Sequence, residues 1–471
     1  MLDQSFSAHN LEVIFDLENR KGNIDIDCMP EAYRNAVAEM KELRHQISEL
    51  KTKGRKKSEE DIKIEDLEKT YNEEKEKKES SRKAFLKKCE DKINARDFEI
   101  QMHKFLDHDS GKEVFTLNLD EPAVFFALKQ LQYNIHKTFK VKQSNRHAIL
   151  NDVKALLHTK IPLHIVRTDI SSFYESIPQS TLLEKIEGNT LLSHKSKAFI
   201  RAILKLYDDC KDETLVPKGV GVPRGVGISP LLSEIYVRDL DSRIKSFMGT
   251  LFYARYVDDI FVILTSLPSG CYDSKGYLTS MQAMFADYGL ALKDETDPKG
   301  KGILMDFTES DKSYNPFDYL GYSITIERKN RQMDVTFGLS ENKKDNFKEK
   351  VDHIVAHFEN KSKCKIKEAY SDLFDSLNYI TGNTKLFKSK ASVKVGLYYN
   401  NNLLDRKEDL DALQQYLRNK PIEPSHTVTG WAKCKAKIAQ KVAEIDFRER
   451  WEQKKMFHFS LARIQEIEEW I

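Results

Sequence analysis

The sequence lacks the features that would place the protein in a membrane or in an oxidising compartment. Its 471 residues contain no apolar run near the roughly 18 residues that a membrane-spanning helix needs. The first residues have neither a basic segment nor an apolar segment, so no signal peptide is predicted. The six cysteines are scattered without a CxxC pair, which predicts reduced thiols rather than a disulfide framework or a zinc site. We therefore expect a cytoplasmic protein that has no membrane partner.

The sequence also lacks a large excess of charge of either sign. It contains 76 basic and 74 acidic residues, for a net charge of +2. Balanced totals do not exclude nucleic acid, because local basic patches matter more than the sum. Two common phosphate-binding fingerprints are absent, since the glycine-rich segment 219–230 contains neither GK[ST] nor GxGxxG. The length allows two to four domains with a substantial core.

Proline is absent from Glu31 to about Asn94, where roughly half of the residues are Lys, Arg, Glu or Asp. Apolar residues recur there with heptad spacing and predict a first helix, and Gly54 predicts a break before a second helix. The apolar positions of the first helix are Ala36, Met40, Leu43, Ile47 and Leu50. We predict an antiparallel helical hairpin or coiled coil, which either contacts a partner or RNA or is a solvated arm.

Two adjacent acids lie near the middle of the chain, in the segment Tyr256-Val257-Asp258-Asp259. Apolar and aromatic residues with high strand propensity flank them, which predicts a β-hairpin whose turn carries both aspartates. Carboxylates held there are hard oxygen ligands of the kind that a pair of magnesium ions needs. Taken alone, the segment is equally compatible with a solvated Asp-Asp turn.

Two upstream segments favour the metal interpretation. The apolar run from His164 predicts a strand that delivers Asp169 into the same cleft as Asp258. Four glycines between 219 and 227 predict a loop that lets backbone approach a ligand closely. Ser229-Pro230 then predicts the start of a helix, with serine as the cap and proline in the first turn.

Basic residues cluster in two further regions. Residues 100–165 look mostly helical and carry a cluster around Phe139 that suits a triphosphate or template backbone, or is an ordinary basic surface. Its members are Lys137, Lys140, Lys142, Arg146 and His147. Residues 401–471 look helical, are basic and contain all three tryptophans. That combination suits RNA or a template–primer duplex, with simple packing as the alternative.

In this order and spacing, the segments resemble the bacterial reverse transcriptases related to group II introns, retrons and abortive-infection polymerases. The Asp169 segment is similar to the first carboxylate motif of that family, Gly221 to Pro230 to its GxPQG…SP motif, and Tyr256 to Asp259 to its YxDD box. Residues 285–292 resemble the helix and turn after the box, and residues 317–322 resemble the primer-grip hairpin. The resemblance covers about residues 120–330.

The resemblance implies an α+β, right-hand polymerase fold with fingers, palm and thumb and an antiparallel palm sheet. Together with the composition it predicts a charged helical hairpin before the polymerase and a helical region after it. The predicted regions are an N-terminal segment (1–30), the charged hairpin (31–99), fingers (100–165), the catalytic palm with fingers elements (166–330), a helical thumb (331–400) and a basic helical region (401–471).

The resemblance also implies an RNA-directed DNA polymerase, a nucleotidyltransferase that extends a 3′-hydroxyl or a protein hydroxyl with dNTPs by two-metal phosphoryl transfer. The implied catalytic and metal-binding residues are Asp169, Asp258 and Asp259, with the Ile170 carbonyl as a backbone ligand. The implied cofactor is a pair of Mg²⁺ ions, for which Mn²⁺ is a possible substitute.

In the family, an aromatic residue at the position of Tyr174 stacks under the incoming sugar and clashes with a 2′-hydroxyl, although a core role for this ring is the alternative. The other implied nucleotide-binding residues are Phe173, Arg224, Gly225 and Arg146. The implied primer grip is Tyr319, Leu320 and Gly321.

Two positions depart from the family pattern. Arg224 stands where the family usually has Gln, a change that bears on how the template base or the triphosphate is held. The family's lysine after the Gly-Leu turn has no clear counterpart. Lys293 and Lys299 are candidates for it, while Glu295 stands near the expected position.

No RNase H carboxylate set, integrase-like block or HNH spacing follows the expected thumb. This absence and the Pro-Arg-Gly variant resemble the defence-associated (antiphage) bacterial reverse transcriptases, of which the type 3 branch with two paired polymerases is one candidate. The implied partners are an RNA template such as a dedicated non-coding RNA, the DNA product, dNTPs, and a second protein or further copies of the chain.

Three other interpretations stay open. An RNA-dependent RNA polymerase shares the palm architecture, although Tyr174 argues for deoxynucleotides. A maturase-like RNA-binding protein would use the palm only as a scaffold, although the intact aspartates argue against it. Untemplated or protein-primed synthesis is the third.

Overall fold

The computed structural model describes residues 3–52, 59–107, 111–142, 144–265, 273–298, 301–307, 311–386, 393–424 and 431–471. The predicted break at Gly54 and the lysine candidate Lys299 lie outside these residues.

Helices dominate the chain. In order they are α1 (Ala8–Lys21), α2 (Glu31–Thr52), α3 (Glu59–Asn94), α4 (Pro122–Phe139), α5 (Arg146–Leu157), α6 (Phe173–Ser176), α7 (Gln179–Glu187), α8 (His194–Cys210), α9 (Ser229–Lys245), α10 (Ser274–Ala286), α11 (Glu341–Ser362), α12 (Ile366–Thr381), α13 (Glu408–Asn419), α14 (Trp431–Ala443), α15 (Phe447–Glu452) and α16 (Leu461–Trp470). Within the described part of the chain, none of them is both long and apolar enough to cross a bilayer.

The strands are short and form small sheets. In order they are β1 (Met102–Leu106), β2 (Glu113–Leu117), β3 (Leu163–Asp169), β4 (Thr250–Tyr256), β5 (Asp259–Thr265), β6 (Ile303–Phe307), β7 (Lys312–Ser313), β8 (Phe317–Tyr319), β9 (Tyr322–Lys329), β10 (Gln332–Leu339), β11 (Asn383–Lys385) and β12 (Lys394–Gly396).

The described residues divide into two compact units. The first comprises those within 1–144, 165–264 and 271–304, and the second comprises those within 145–164, 265–270 and 305–471. Each unit has a core of its own apolar side chains.

The sheet that carries the candidate site has the strand order β4-β5-β3-β6. β4 and β5 form an antiparallel hairpin in which Tyr256 pairs with Asp259. Val257 adopts a φ of 59°, a left-handed conformation that lets a two-residue turn reverse the chain. The predicted hairpin is thus confirmed, but only Asp258 lies in the turn, because Asp259 is the first residue of β5.

The charged hairpin of the first unit joins the core at its base and is solvated towards its tip. Lys51 of α2 pairs with Glu68 of α3 at 3.0 Å, as expected for antiparallel neighbours. Leu86 near the end of α3 is 1% exposed and belongs to the core, whereas Ile62 near its start is 59% exposed. The amphipathic pattern is therefore sufficient to anchor one end of the hairpin only.

The prediction that residues 100–165 are mostly helical is wrong for residues 102–117. There, β1 and β2 form an antiparallel hairpin, and helix starts again only at Pro122. The reason is a period-two pattern in β2, where Phe115 and Leu117 are buried and their neighbours are more exposed.

The second unit combines a small sheet with a helical layer. β9 pairs antiparallel with β10, β7 and β8, and the apolar faces of α11, α12 and α13 form the core. The short hairpin of β11 and β12 and the strand β10 lie within residues 331–400, which were expected to be helical. The remainder of that range contains the two expected long helices, α11 and α12.

Candidate active site

Three carboxylates gather where β3 ends beside the β4–β5 turn. Asp169 is the last residue of β3 and is 4% exposed, Asp258 lies in the turn, and Asp259 begins β5. The Ile170 N–H donates to the Asp258 carbonyl at 3.0 Å, which ties the end of β3 to the turn. The Nζ of Lys301 lies 3.9 Å from Asp169 Oδ1 and 3.8 Å from Asp259 Oδ1. A single cation thus reaches two of the three acids.

The backbone around Ile170 is held by two hydrogen bonds. The Ser171 N–H donates to the Ala291 carbonyl at 2.8 Å, and the Lys293 N–H donates to the Asp169 carbonyl at 3.0 Å. Neither bond uses the Ile170 carbonyl. These two bonds therefore do not prevent the Ile170 carbonyl oxygen from acting as the metal ligand that the family resemblance implies.

Three basic side chains accompany the acids. Lys293 Nζ lies 2.8 Å from Asp169 Oδ2. Arg167 is 4% exposed, and its guanidinium donates to Asp259 Oδ1 at 2.6 Å and to the Lys301 carbonyl at 2.9 Å. Because Arg167 occupies one oxygen of Asp259, the orientation of that carboxylate is fixed.

Burial and mutual repulsion set the protonation of these groups. Burial raises the pKa of Asp258, and the negative charge of Asp169 raises it further. Burial also raises the pKa of Asp259, although Arg167 and Lys301 oppose the shift. For Lys293, burial works against the charge, but the hydrogen bond and the charge of Asp169 outweigh it and raise its pKa. The cluster therefore favours additional positive charge.

Among the described residues, no three Asp, Glu, His or Cys side chains lie close enough to form a complete metal site. The carboxylates nevertheless offer oxygen ligands of the kind that divalent ions bind. Asp169 Oδ1 is buried and has no hydrogen-bond partner among the described residues, a costly state for an anionic oxygen. The Asp258 carboxylate receives no side-chain hydrogen bond from the part of the chain that the structure describes. Carboxylate oxygens such as the unpaired Oδ1 of Asp169 are the hard ligands that Mg²⁺ prefers.

Arg255 holds the turn from within the core. It is 3% exposed, and its guanidinium donates to the Val257 carbonyl at 2.8 Å. It also pairs with Glu234 at 2.7 Å and with Asp241 at 2.9 Å. Burial opposes the charge of Arg255, but these two acids outweigh it and raise its pKa. The left-handed conformation of Val257 is thus supported by a fully paired buried cation.

A second group of side chains surrounds Tyr174, in the short helix α6. The Arg224 guanidinium lies 5.3 Å from the centre of the Tyr174 ring and donates from Nε and Nη2 to Glu175 Oε1 at 3.1 and 2.9 Å. Phe173 is 2% exposed and packs beside the same ring, with a centroid distance of 5.6 Å. Burial raises the pKa of the Tyr174 hydroxyl, partly opposed by Arg224. The ring is therefore held in place by its neighbours.

The glycine-rich loop is held against the β1–β2 hairpin. Gly225 has a φ of 94°, and a Cβ there would lie 2.6 Å from the Phe115 carbonyl oxygen, so only glycine fits. The Phe115 N–H donates to the Arg224 carbonyl at 2.7 Å. The expectation that Ser229 caps α9 is wrong. Ser229 is the first helical residue, and its hydroxyl donates to the Pro223 carbonyl at 2.6 Å, which fixes the loop instead.

The remaining predicted site residues lie in the second unit. Arg146 is the first residue of α5, and its guanidinium lies 5.8 Å from the ring centre of Tyr322. Tyr319 ends β8, and Leu320 and Gly321, both with positive φ, form the turn into β9. The nucleotide-binding role of Arg146 and the primer-grip role of the turn stay predictions.

Basic residues of the site carry little motif signal. Arg167 stands two residues before Asp169, on the same face of β3 by strand alternation, which is the one signal that marks it. Lys301 has no local pattern, since its position depends on how distant segments pair. Of the positions considered after the Gly-Leu turn, Lys293 reaches Asp169, whereas Glu295 is exposed.

A sheet that presents clustered carboxylates at a strand end and a hairpin turn, combined with the surrounding helices, is the α+β fold of right-hand polymerases. Residues 122–324 match the family model described as reverse transcriptase (RNA-dependent DNA polymerase). This stretch is therefore a reverse transcriptase domain, whose enzyme class is nucleotidyltransferase, RNA-directed DNA polymerase. The fold class predicted from the sequence is confirmed.

Solved structures of telomerases are similar to the chain at low sequence identity. The apo telomerase of Candida tropicalis is 13% identical, with 78% of this chain and 60% of that chain covered and a TM-score of 0.36. A form of it truncated from the C-terminal domain is 15% identical, with 50% of this chain and 54% of that chain covered and a TM-score of 0.34. The Candida albicans telomerase in complex with a fragment of telomeric RNA is 12% identical, with 73% of this chain and 66% of that chain covered and a TM-score of 0.32.

The chain thus spans between 54% and 66% of the length of these telomerase structures. No curated protein matches the sequence.

Proposed function

We propose that the protein is an RNA-directed DNA polymerase that adds dNTPs to a 3′-hydroxyl, or to a protein hydroxyl, with two Mg²⁺ ions as cofactor. The observation that carries the proposal is the cluster of Asp169, Asp258 and Asp259 within the matched domain. Mn²⁺ is expected to substitute for Mg²⁺, because it accepts the same oxygen ligands.

Asp169 and Asp258 are the residues that would hold both ions, with the Ile170 carbonyl as a further ligand. Asp259 is the secondary ligand, since one of its oxygens is already bound by Arg167. When bound, the ions activate the attacking hydroxyl and offset charge on the phosphates of the nucleotide.

Two lysines supply mobile positive charge beside the acids. Lys293 and Lys301 neutralise Asp169 and Asp259 in the absence of other cations. Their long side chains are free to turn towards the triphosphate when the acids bind other cations, which would place ammonium groups beside the leaving pyrophosphate.

The choice of sugar would lie with Tyr174. Its ring is fixed by Phe173, Arg224 and Glu175, so it presents a rigid surface to the sugar and excludes a 2′-hydroxyl. Gly225 lets the backbone of the loop approach the nucleotide. On this basis Arg224 acts as a positioning residue for the tyrosine, in place of the glutamine usual in the family.

Further contacts with an RNA template and its DNA product are proposed for residues outside the carboxylate cluster. In the second unit, Arg146 and the turn of Tyr319, Leu320 and Gly321 are proposed to bind the nucleotide and the primer, and the basic helical region 401–471 is proposed to bind the duplex. The setting that the sequence variants favour is antiphage defence in the bacterial cytoplasm, with a dedicated non-coding RNA as template and a second protein or further copies of the chain as partners.

The test is a polymerase assay on the full chain, purified with its bound nucleic acid. Each labelled dNTP, and separately each NTP, is supplied with Mg²⁺, with and without RNase treatment. We expect DNA product that is lost after RNase treatment and absent from Asp258→Ala. The matched control is Asp334→Asn, which removes an exposed acid on β10.

The alternatives give different results in the same assay. Product made only from NTPs would replace the proposal with an RNA polymerase, and product that survives RNase would indicate untemplated synthesis. Bound RNA without product from either nucleotide set would favour the maturase-like scaffold.

A further inference from the structure

The second unit contains a cavity of about 320 Å³ between α11, the end of α12, and the β11–β12 hairpin. Lys343, Asn346, Phe347 and Lys350 line one wall, at spacings of three, four and seven residues along α11. A volume of this size is within the range of small-molecule sites. The residues that line this cavity belong to the second unit, whereas the carboxylate cluster belongs to the first.

The opposite wall offers an unsatisfied hydroxyl. Thr384 of β11 lines the cavity and is 3% exposed, and its Oγ1 has no hydrogen-bond partner among the described residues. Buried hydroxyls are normally paired, so the unpaired Oγ1 leaves this cavity-lining residue short of one hydrogen-bond partner. Asn400 and Asn401 add amide groups to the same wall.

The charges around the cavity are of one sign. Its lining includes two lysines, three asparagines and a threonine but, among the described residues, no Asp or Glu. Lys343 Nζ donates to the Asn401 side chain and to the Asn400 carbonyl and lies 4.6 Å from the ring centre of Tyr322, and no described ion pair includes it. Burial and the neighbouring charge of Arg146 lower the pKa of Lys343 to about 7.

A second uncompensated cation lies just outside the cavity. The guanidinium of Arg146 stands over the same Tyr322 ring, and its Nε and Nη2 have no partner in the described part of the chain. A Cβ on Gly321 would lie 2.8 Å from Arg146 Nη2 and 2.9 Å from Lys343 Cε, so the two basic side chains close over the turn. Two cations held this close without an acid need an anion to offset their repulsion.

We propose that this cavity binds a phosphate group, carried either by a free nucleoside phosphate or by the end of a nucleic acid. Lys343 and Lys350 supply positive charge, Thr384 and the asparagines supply hydrogen bonds to the phosphate oxygens, and Phe347 supplies an apolar wall for the attached nucleoside.

The test is isothermal titration calorimetry on the full chain in EDTA, which suppresses metal-dependent binding at the carboxylate cluster. The probes are inorganic phosphate, dAMP, a 5′-phosphorylated oligonucleotide and the same oligonucleotide without its phosphate. We expect Lys343→Gln to weaken phosphate binding about tenfold, as for loss of a charge-assisted hydrogen bond. Thr384→Val, which keeps the shape of the side chain, should weaken it several-fold.

The control is Lys348→Gln, on the same helix but outside the cavity, where the lysine pairs with Asp345 at 2.8 Å. It should bind like the unmodified chain. Binding of dAMP alone would assign a free nucleotide, and binding that requires the 5′-phosphate of the oligonucleotide would assign a nucleic-acid end. Equal losses in Lys343→Gln and Lys348→Gln, or no probe bound more tightly than about 1 mM, would overturn the proposal.

Discussion

Asp258 and Asp259 are adjacent in the chain but have different partners. Asp258 repels Asp169, and no basic side chain of the described residues is hydrogen-bonded to it, whereas Asp259 is paired with the buried Arg167. Substitution of each by asparagine should therefore affect stability in opposite directions, even though both substitutions reduce activity.

We expect Asp258→Asn to reduce polymerase activity about a thousandfold or more, because a metal ligand is lost. Without divalent ions it should raise the melting temperature by about 1–4 °C, since one of the repelling charges is removed. Asp259→Asn should lower the melting temperature, because Arg167 keeps its charge in the core without a carboxylate. Thermal unfolding in EDTA measures the two melting temperatures, and the polymerase assay measures the two activities. Melting-temperature shifts of the same sign in Asp258→Asn and Asp259→Asn would contradict the different partners assigned to these acids.

Arg224 and Tyr174 should act together on sugar selection. Tyr174→Ala should lower the preference for dNTPs over NTPs by about tenfold or more, because the ring that meets the 2′-hydroxyl is gone. Arg224→Gln should give a smaller loss, since the ring stays but is no longer held. The measurement is kcat/KM for one dNTP and its matching NTP. If Arg224→Gln lowers both values equally, Arg224 contributes to binding and not to selection.

The pKa of about 7 for Lys343 predicts a pH-dependent affinity for anions. Sulfate is a suitable probe because its own charge is constant between pH 6 and pH 8.5. Lys343 is protonated below pH 7 and attracts the anion, and it loses its charge above pH 7, so sulfate affinity should fall as the pH rises. The groups that face it are Arg146 and Tyr322, and burial raises the pKa of Tyr322. A pH profile unchanged by Lys343→Gln would contradict this origin.

The acids could be located from the sequence because each lies at a strand end, at a strand start or in the turn between two strands, and the apolar patterns of these strands are local. Arg167 and Lys301 could not be located in the same way, since they meet Asp259 only after β3 and the segment before β6 are in place. Local pattern therefore predicts which side chains are delivered to the cleft but not which ones neutralise them.

At the scale of elements, the hairpin of α2 and α3 has two regions with different surroundings. Its base is part of the core of the first unit, through Leu86, Cys89 and Ile93, and its distal part is exposed to solvent. Stability of the unit should depend on the base only.

The matched substitutions are Leu86→Ala and Ile62→Ala, both on α3. Leu86→Ala should cost about 2–5 kcal/mol of unfolding free energy, because it leaves a cavity in the core. Ile62→Ala should stay within about 0.5 kcal/mol of the unmodified chain, since Ile62 is already exposed. Denaturant unfolding followed by circular dichroism measures the difference. Similar costs for the two would place the distal part of the hairpin in the core as well.

The elements that sequence reasoning placed well are those with regular apolar patterns, such as α2 and the β4–β5 hairpin. The β1–β2 hairpin is missed because its strands are short and β1 exposes nearly all of its residues. Its position depends on the contact of Phe115 with the glycine-rich loop, which no local pattern reveals.

At the scale of the whole molecule, the two compact units are interleaved along the chain. Residues 145–164 belong to the second unit, although its main body begins only at residue 305. Leu150, Val153 and Leu157 of α5 are completely buried, and the Thr159 carbonyl accepts a hydrogen bond from the Met333 N–H at 2.9 Å.

A fragment of residues 1–304 should therefore expose the apolar face of α5. We expect it to bind a hydrophobic dye strongly and to aggregate at concentrations where the full chain stays monodisperse. Light scattering and dye fluorescence measure this, with the full chain as the reference. A monodisperse, dye-negative fragment would mean that α5 finds cover within the first unit.

The interleaving also means that α5 is synthesised well before the rest of its unit. Residues 145–164 leave the ribosome about 140 residues before residue 305, which at about 5–20 residues per second is a delay of roughly 7 to 28 seconds. During that interval α5 is tethered between segments of the first unit, which is complete only once residue 304 has been made. Ribosome-associated chaperones would have their longest opportunity to bind at this helix, and translation speed between residues 165 and 304 would govern how long it stays uncovered.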